Sequence, residues 1–126
     1  MPNSTFRVAV IGAGETGTPL LQQLLDAPFV TVLGVADLDP DAPGMRLARG
    51  RGVETTTDFM DLARLGDRLD VLIDVTGVPQ VREALRQHMQ DTDNRHTIIM
   101  HEVIVQLMLS LSKGALVRLK HGDVEY

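Results

Sequence analysis

The stretch V-A-V-I-G-A-G-E-T-G, residues 8–17, decides the fold of this chain. It contains most of an apolar, β-branched run from Phe6 to Ile11 that ends at a glycine, as a strand buried on both faces does. Leucines at helical spacing follow over Glu15–Ala27, where Pro19 is tolerable only in the first turn. The pattern predicts a strand, a glycine turn and a helix in immediate succession.

The glycines of this turn have the spacing G-x-G-x-x-G. In that motif the first glycine permits a tight turn, the second lets a pyrophosphate approach the backbone, and the third lets helix and strand pack closely. The N-terminus of the helix adds free N–H groups and the positive end of its dipole. A tight turn without a ligand is the alternative. The residues predicted to hold the phosphates are Gly12, Ala13, Gly14, Glu15, Thr16 and Gly17.

An acidic residue, Asp37, follows the second predicted strand, Val30–Ala36, twenty residues after Gly17. A carboxylate at this place accepts hydrogen bonds from the ribose hydroxyls of adenosine and repels a 2′-phosphate. Asp39 adds to that repulsion, and no Arg or Lys lies between Asp37 and Met45 to balance it. The sequence therefore favours NAD over NADP. It also disfavours coenzyme A, because the ribose of coenzyme A carries a 3′-phosphate.

Strand and helix patterns alternate along the rest of the chain. Strands are predicted at Val53–Thr55, Val71–Val75 and Thr97–Met100, and helices at Met45–Arg51, Asp58–Leu65, Gln80–Met89 and Glu102–Lys120. This alternation indicates an α/β domain of the Rossmann type, spanning residues 1–126 as a single unit. Right-handed crossovers predict a doubly wound parallel sheet of about five strands in the order 3-2-1-4-5, between helices on both faces.

Composition excludes several classes of function. The chain of 126 residues has a formal net charge of −5 and no basic cluster, which argues against nucleic acid as a partner. It has no cysteine, and its 4 histidines lack metal-ligand spacing, so no metal site is expected. The N-terminus does not resemble a signal peptide, and the late apolar stretch over residues 98–111 is too short and too polar for a membrane span. A cytoplasmic location is expected.

Four segments together resemble a known family: V-A-V-I-G-A-G-E-T-G (8–17), G-V-A-D-L-D-P (34–40), T-T-T-D-F (55–59) and D-V-L-I-D-V-T-G-V-P (70–79). Over roughly residues 6–102 the chain resembles the NAD-binding half of the glucose–fructose oxidoreductase and inositol dehydrogenase family, and also homoserine-dehydrogenase-type domains. The resemblance implies NAD as the cofactor. It further implies that Thr76, Gly77 and Pro79 run beside the pyrophosphate and the nicotinamide ribose. The alternative for these three residues is a helix-entry turn.

The sequence departs from that family just after the fifth strand. The family has Glu-Lys-Pro there, with a lysine that helps catalysis, whereas this chain has Glu102-Val103-Ile104 and no substrate-binding domain follows. The resemblance therefore predicts an NAD(H)-binding module that is non-catalytic alone and serves redox sensing or regulation. An oxidoreductase acting with a partner chain or across a dimer, with His101 and Glu102 as its acid–base pair, is the first alternative. A domain for coenzyme A or another nucleotide is the second.

Two further features stay open at the level of sequence. His101 and Glu102 equally suit the start of a helix, and Asp74, inside an apolar strand, either bonds a neighbouring loop or faces the ligand crevice. The last predicted helix is apolar on more than one face from Val103 to Leu119, which predicts a homodimer through this helix. Burial within a single chain is the alternative.

Overall fold

A computed structural model describes residues 5–15 and 17–118. Five strands form one parallel sheet in the order β3-β2-β1-β4-β5, which confirms the predicted topology. The strands are β1 (Phe6–Ile11), β2 (Val30–Ala36), β3 (Thr55–Thr56), β4 (Val71–Asp74) and β5 (Ile98–Met100). The helices are α1 (Gly17–Asp26), α2 (Pro43–Gly50), α3 (Met60–Ala63), α4 (Pro79–Asp91) and α5 (Glu102–Lys113), with a 3₁₀ turn at Gly66–Arg68.

Alternate residues of the central strands supply two separate cores, since successive side chains of a strand point to opposite faces. On one face, Val10 and Ile73 pack in a cluster with residues of α1, α2 and α5. On the other face, Ile11 and Leu72 pack in a cluster with residues of α3 and α4. Helices therefore cover both faces of the sheet, and the molecule has the three layers expected of a Rossmann-type domain.

The last helix is shorter than predicted. It ends at Lys113, because Gly114 adopts the left-handed conformation (φ 79°) and its N–H bonds to the carbonyl of Ser110. The chain then turns back along α5, where Gln106 Nε2 donates to the Val117 carbonyl and Val117 N donates to Ser110 Oγ. The prediction of a continuous helix to Lys120 is wrong over residues 114–118, and residues 119 and 120 lie outside the described part.

Several other boundaries differ from the predictions by one or two residues. Helix α1 begins at Gly17 rather than Glu15, which still places Pro19 in the first turn. Strand β4 ends at Asp74, one residue earlier than expected. Strand β3 lies at Thr55–Thr56 rather than Val53–Thr55, because the N–H of Val53 bonds to the Ala48 carbonyl in the turn that closes α2.

The amino-terminal edge of the sheet is fixed by a partly exposed polar cluster. The side chain and backbone of Arg7 and the ring of His96 all bond the Asp70 carboxylate. These hydrogen bonds, those from Arg7 first, hold the pKa of Asp70 well below its ordinary value of 3.8. The cluster is far from the opposite, carboxyl edge of the sheet, where β1, β2, β4 and β5 end together.

Candidate functional site

The carboxyl edge of the sheet contains the point where the chain changes direction. The last residue of β1, Ile11, pairs with Ala36 of β2 on one side and with Asp74 of β4 on the other. The chain leaves β1 toward β2 and later returns to β4, so the connections at this edge diverge and leave a crevice. Ligands of open α/β sheets bind in this crevice.

The three motif glycines have three different surroundings. Gly12 has a φ of 105°, and a Cβ there would lie 2.6 Å from Val75 Cγ2. At Gly17 a Cβ would lie 2.2 Å from the carbonyl oxygen of Gly12, so α1 contacts the turn without room for any side chain. At Gly14 a Cβ would meet no described atom within 4 Å, and the φ of Gly14 is outside the left-handed range. Folding explains Gly12 and Gly17, whereas open space lies in front of Gly14.

The turn between β1 and α1 is held by its own backbone bonds. Gly12 N donates to the Ala36 carbonyl at 2.8 Å. The N–H and the hydroxyl of Thr18 both donate to the Gly14 carbonyl, at 3.0 and 2.7 Å. The start of α1 therefore lies directly beside Gly14, and the exposed Glu15 lies in the same turn. Thr16, also a predicted phosphate contact, lies outside the described residues.

Asp37 is buried at 4% exposure, and its carboxylate contacts the glycine turn. Its Oδ2 accepts a hydrogen bond of 2.7 Å from Ala13 N, and its Oδ1 accepts one of 2.9 Å from Asp39 N. A carboxylate has about four acceptor positions, so two are left after these bonds. The structure thus brings Asp37 to the glycine turn, as a ribose contact requires, and gives it a structural bond that the sequence pattern did not indicate.

Gly44 is a site residue that the sequence pattern missed. Its N–H donates to the Ala13 carbonyl at 2.7 Å, and a Cβ at Gly44 would lie 2.8 Å from that same oxygen. The first turn of α2 therefore packs against the glycine turn at Ala13, the residue whose N–H bonds Asp37. No local pattern could reveal this contact, because Gly44 lies 31 positions after Ala13 and no Rossmann motif includes it.

The loop after β4 has the geometry of a helix-entry turn. The Thr76 hydroxyl donates to Asp74 Oδ1 at 2.6 Å and accepts from Val78 N at 3.1 Å. Pro79 is the first residue of α4, where its missing N–H is harmless. The loop also lies beside the glycine turn, since a Cβ on Gly12 would be 3.5 Å from Thr76 Cγ2. The structural alternative for Thr76 and Pro79 thus holds, at a position that also borders the crevice.

The residues that start α5 lie over the same loop. A Cβ on Gly77, whose φ is 67°, would be 2.7 Å from Glu102 Oε2, so the Glu102 carboxylate packs directly against this glycine. His101 is half-buried, and its Nδ1 lies 3.4 Å from Oδ2 of the buried Asp74. Asp74 therefore bonds the neighbouring loop, which is one of the two alternatives for it, and it lies at the carboxyl end of β4. His101 and Glu102, the two residues considered as an acid–base pair, both lie at this edge.

No group of three or more His, Cys, Asp or Glu side chains in residues 5–15 and 17–118 is arranged to hold a metal ion. Among the helices of those same ranges, none has the length and apolar character that crossing a membrane requires.

Comparison with known proteins gives a relative by sequence. No family model matches this chain. Acetaldehyde dehydrogenase 2 of Salinispora arenicola (strain CNS-205) is 37% identical over 82 residues, which are 64% of this chain and 27% of that protein. The chain thus spans about a quarter of the length of this curated relative. The sequence motifs had not pointed to acetaldehyde dehydrogenases.

Solved structures share the fold. Myo-inositol dehydrogenase from Corynebacterium glutamicum ATCC 13032 matches with a TM-score of 0.53 and 22% identity, over 66% of this chain and 26% of its own. GenD2 from gentamicin A biosynthesis, solved in complex with NAD, matches with a TM-score of 0.58 and 19% identity, over 78% of this chain and 34% of its own. The Rossmann-type fold is confirmed, and the predicted resemblance to inositol dehydrogenase is confirmed at the level of the fold.

Proposed function

We propose that this chain binds NAD(H), with the pyrophosphate over the glycine turn and the adenosine ribose at Asp37. One observation carries the proposal. Packing within the protein accounts for Gly12 and Gly17, whereas Gly14 faces open space and has no conformational need to be glycine. A glycine without a structural reason is what close approach of a phosphate to the backbone requires. The beginning of α1, beside Gly14, supplies the positive end of a helix dipole.

The preference for NAD over NADP rests on Asp37 and not on the fold. Its buried carboxylate is held in place by Ala13 N and Asp39 N, so it cannot easily turn away from an incoming ribose. A 2′-phosphate there would meet a fixed negative charge, with Asp39 following closely in the sequence. Coenzyme A is disfavoured by the same charge.

Thermal unfolding with NAD⁺, NADH, NADP⁺ and coenzyme A in parallel tests this part of the proposal. A ligand at a hundredfold excess over its dissociation constant adds about 2.7 kcal/mol of stability. We expect NAD⁺ or NADH to raise the Tm, and NADP⁺ and coenzyme A to leave it nearly unchanged. Asp37→Asn should narrow the difference between the Tm shifts that NAD⁺ and NADP⁺ produce. Asp41→Asn, which removes an exposed neighbouring charge, should leave that difference unchanged. If none of the four ligands raises the Tm, dinucleotide binding is refuted.

The second part of the proposal is that the chain is non-catalytic alone and acts as a redox-sensing or regulatory module. Val103 stands where the related oxidoreductases have their lysine, and its side chain is exposed at the first turn of α5. Purified protein with NAD⁺ and either acetaldehyde or inositol, the substrates named for the relatives, should form no NADH. NADH formation would instead favour the oxidoreductase alternative, for which the closeness of His101 to Asp74 is the supporting observation.

The third part concerns assembly and location. Residues 1–126 are proposed to form one domain that dimerises through α5, whose outer side carries an apolar stripe in the described chain. The members of this α5 stripe are Val103, Ile104, Leu107, Met108 and Leu111, each at least 42% exposed. Water-exposed apolar stripes of this width mark contacts with partners. We expect a homodimer, and a monomer in sedimentation at high micromolar concentration would refute it. The expected location of the protein is the cytoplasm.

A further inference from the structure

A buried carboxylate lies at the carboxyl edge of the sheet, one strand away from the glycine turn. Asp74, the last residue of β4, is only 2% exposed. Its Oδ1 accepts hydrogen bonds from both the N–H and the hydroxyl of Thr76, at 2.9 and 2.6 Å. Its Oδ2 lies 3.4 Å from Nδ1 of His101. A buried carboxylate is costly without a positive partner, and His101 is the ionisable partner that the structure gives it.

His101 is placed to bind a proton between this carboxylate and the solvent. Among the described residues its buried Nδ1 has no hydrogen-bond partner, whereas about a third of its side chain is exposed (32%). The ring also borders a groove of about 690 Å³ between α4 and the open edge of β5. Histidine is the side chain that changes charge between pH 5 and 8. The pair therefore has zero net charge when His101 is protonated and one negative charge when it is neutral.

The position of the pair relative to the bound dinucleotide rests on the proposed function. Asp74 pairs in register with Ile11, which precedes the glycine turn, and Thr76 contacts that turn. In a doubly wound sheet the dinucleotide crosses the edge from one mononucleotide-binding half to the other. With the adenosine at Asp37 on the β2 side, the nicotinamide lies on the side of β4 and β5. His101 and Asp74 lie on that side.

We propose that the Asp74–His101 pair couples the redox preference of the site to pH. The oxidised nicotinamide ring carries a positive charge and the reduced ring does not, so only NAD⁺ responds to the charge of the pair. Protonated His101 cancels the attraction of Asp74 for NAD⁺, and neutral His101 restores it. By linkage, binding of NAD⁺ displaces a proton from His101, and NADH leaves the proton in place. The site prefers NADH at low pH and shifts toward NAD⁺ as pH rises.

Other charged groups near His101 affect dinucleotide binding in a way that does not change with pH. Glu102 on α5 packs against Gly77, and Arg82 and Arg86 on α4 line the same groove, as do Asp93 and Arg95 at its far end. Carboxylates and guanidinium groups keep their charge between pH 6 and 8. Their effect on the affinity for NAD⁺ therefore does not vary over this range, and the dependence on pH comes from the histidine.

Calorimetric titration of NAD⁺ and of NADH at pH 6 and pH 8 tests the inference. One unit charge near the ring, at an effective dielectric constant of about 20, changes affinity by on the order of tenfold. The ratio of the NAD⁺ to the NADH dissociation constant should thus fall about tenfold from pH 6 to pH 8. Repeating the titration in two buffers of different ionisation enthalpy should show proton release with NAD⁺ only.

Three variants separate this coupling from a structural role. His101→Gln should abolish the change with pH, while His96→Gln, at the opposite edge of the sheet, should retain it. Asp74→Asn keeps an acceptor for Thr76 and should lower NAD⁺ affinity at pH 8 about tenfold with little effect on NADH. A ratio that does not vary with pH in the wild-type protein, or a His101→Gln variant that keeps the variation, overturns the inference alone. If neither dinucleotide binds, the proposed function falls and the inference falls with it.

Discussion

Two alanine substitutions in one turn should have opposite consequences. Gly17→Ala places a methyl group 2.2 Å from the Gly12 carbonyl oxygen, and this atom belongs to the backbone and cannot rotate away. The turn and α1 must separate, which corresponds to the upper range for overpacking, about 3 kcal/mol. For a domain of this size the loss lowers the Tm by about 10 °C. Gly14→Ala meets no described atom within 4 Å and should change stability by less than about 1 kcal/mol.

In contrast to stability, binding of NADH should be weakened by Gly14→Ala. The Gly14 methyl group occupies the space in front of the turn, so we expect NADH affinity to fall at least tenfold, or about 1.4 kcal/mol. Urea unfolding followed by circular dichroism gives the stabilities, and calorimetric titration of the folded proteins gives the affinities. A Gly14→Ala protein that binds NADH as the wild type does would refute the assignment of this space to the phosphates. A Gly17→Ala protein of unchanged stability would refute the packing argument.

Three further predictions concern other parts of the molecule. Arg7 lowers the pKa of Asp70 in the folded state, so Asp70 contributes fully to stability above its ordinary pKa of 3.8, and this contribution is lost as the pH falls toward the lowered pKa. Asp70→Asn should therefore make the loss of stability at acid pH less steep. An unchanged loss of stability in acid would contradict the role of this pair. Leu107→Glu puts a charge into the α5 stripe at a residue that is 51% exposed. Sedimentation should then show monomers, and the Tm should change little. A dimer that persists would place the dimer contact outside the α5 stripe. Gly114→Ala forces alanine into a φ of 79° where no described atom crowds the Cβ, and it should cost about 1 kcal/mol in urea unfolding; a neutral result would mean that the chain after α5 adapts freely.

The sequence predicted those parts of the fold that depend on neighbours along the chain. The run from Phe6 to Ile11, the glycine turn and the helix after it form one continuous local pattern, and the strand order followed from crossover handedness. The end of α5 was misjudged because apolar residues continue at Leu116 and Val117. A left-handed Gly114 outweighs that periodicity, since it satisfies the last turn through the Ser110 carbonyl.

The contacts within the site were less predictable, because they join residues that are distant in sequence. Gly44 packs on Ala13, and neither residue carries a signal of the other. Asp37 was expected to face a ribose, and its bond to Ala13 N became visible only in three dimensions. Asp74 stood out as a charge in an apolar strand, but only the fold brings it to His101, 27 positions away.

The hydrogen bonds that hold the glycine turn bear on the rate and the affinity of ligand binding at the proposed site. Ala36, Asp37 and Gly44 each hold Gly12 or Ala13 of the turn by a hydrogen bond of 2.7 or 2.8 Å. Ordering a flexible loop on binding subtracts from affinity, and a loop that is already ordered avoids that loss. Gly12 and Ala13 are therefore preorganised for the proposed dinucleotide, which would dock to a fixed surface. The proposed sensor would then follow the concentration of its ligand without a slow folding step.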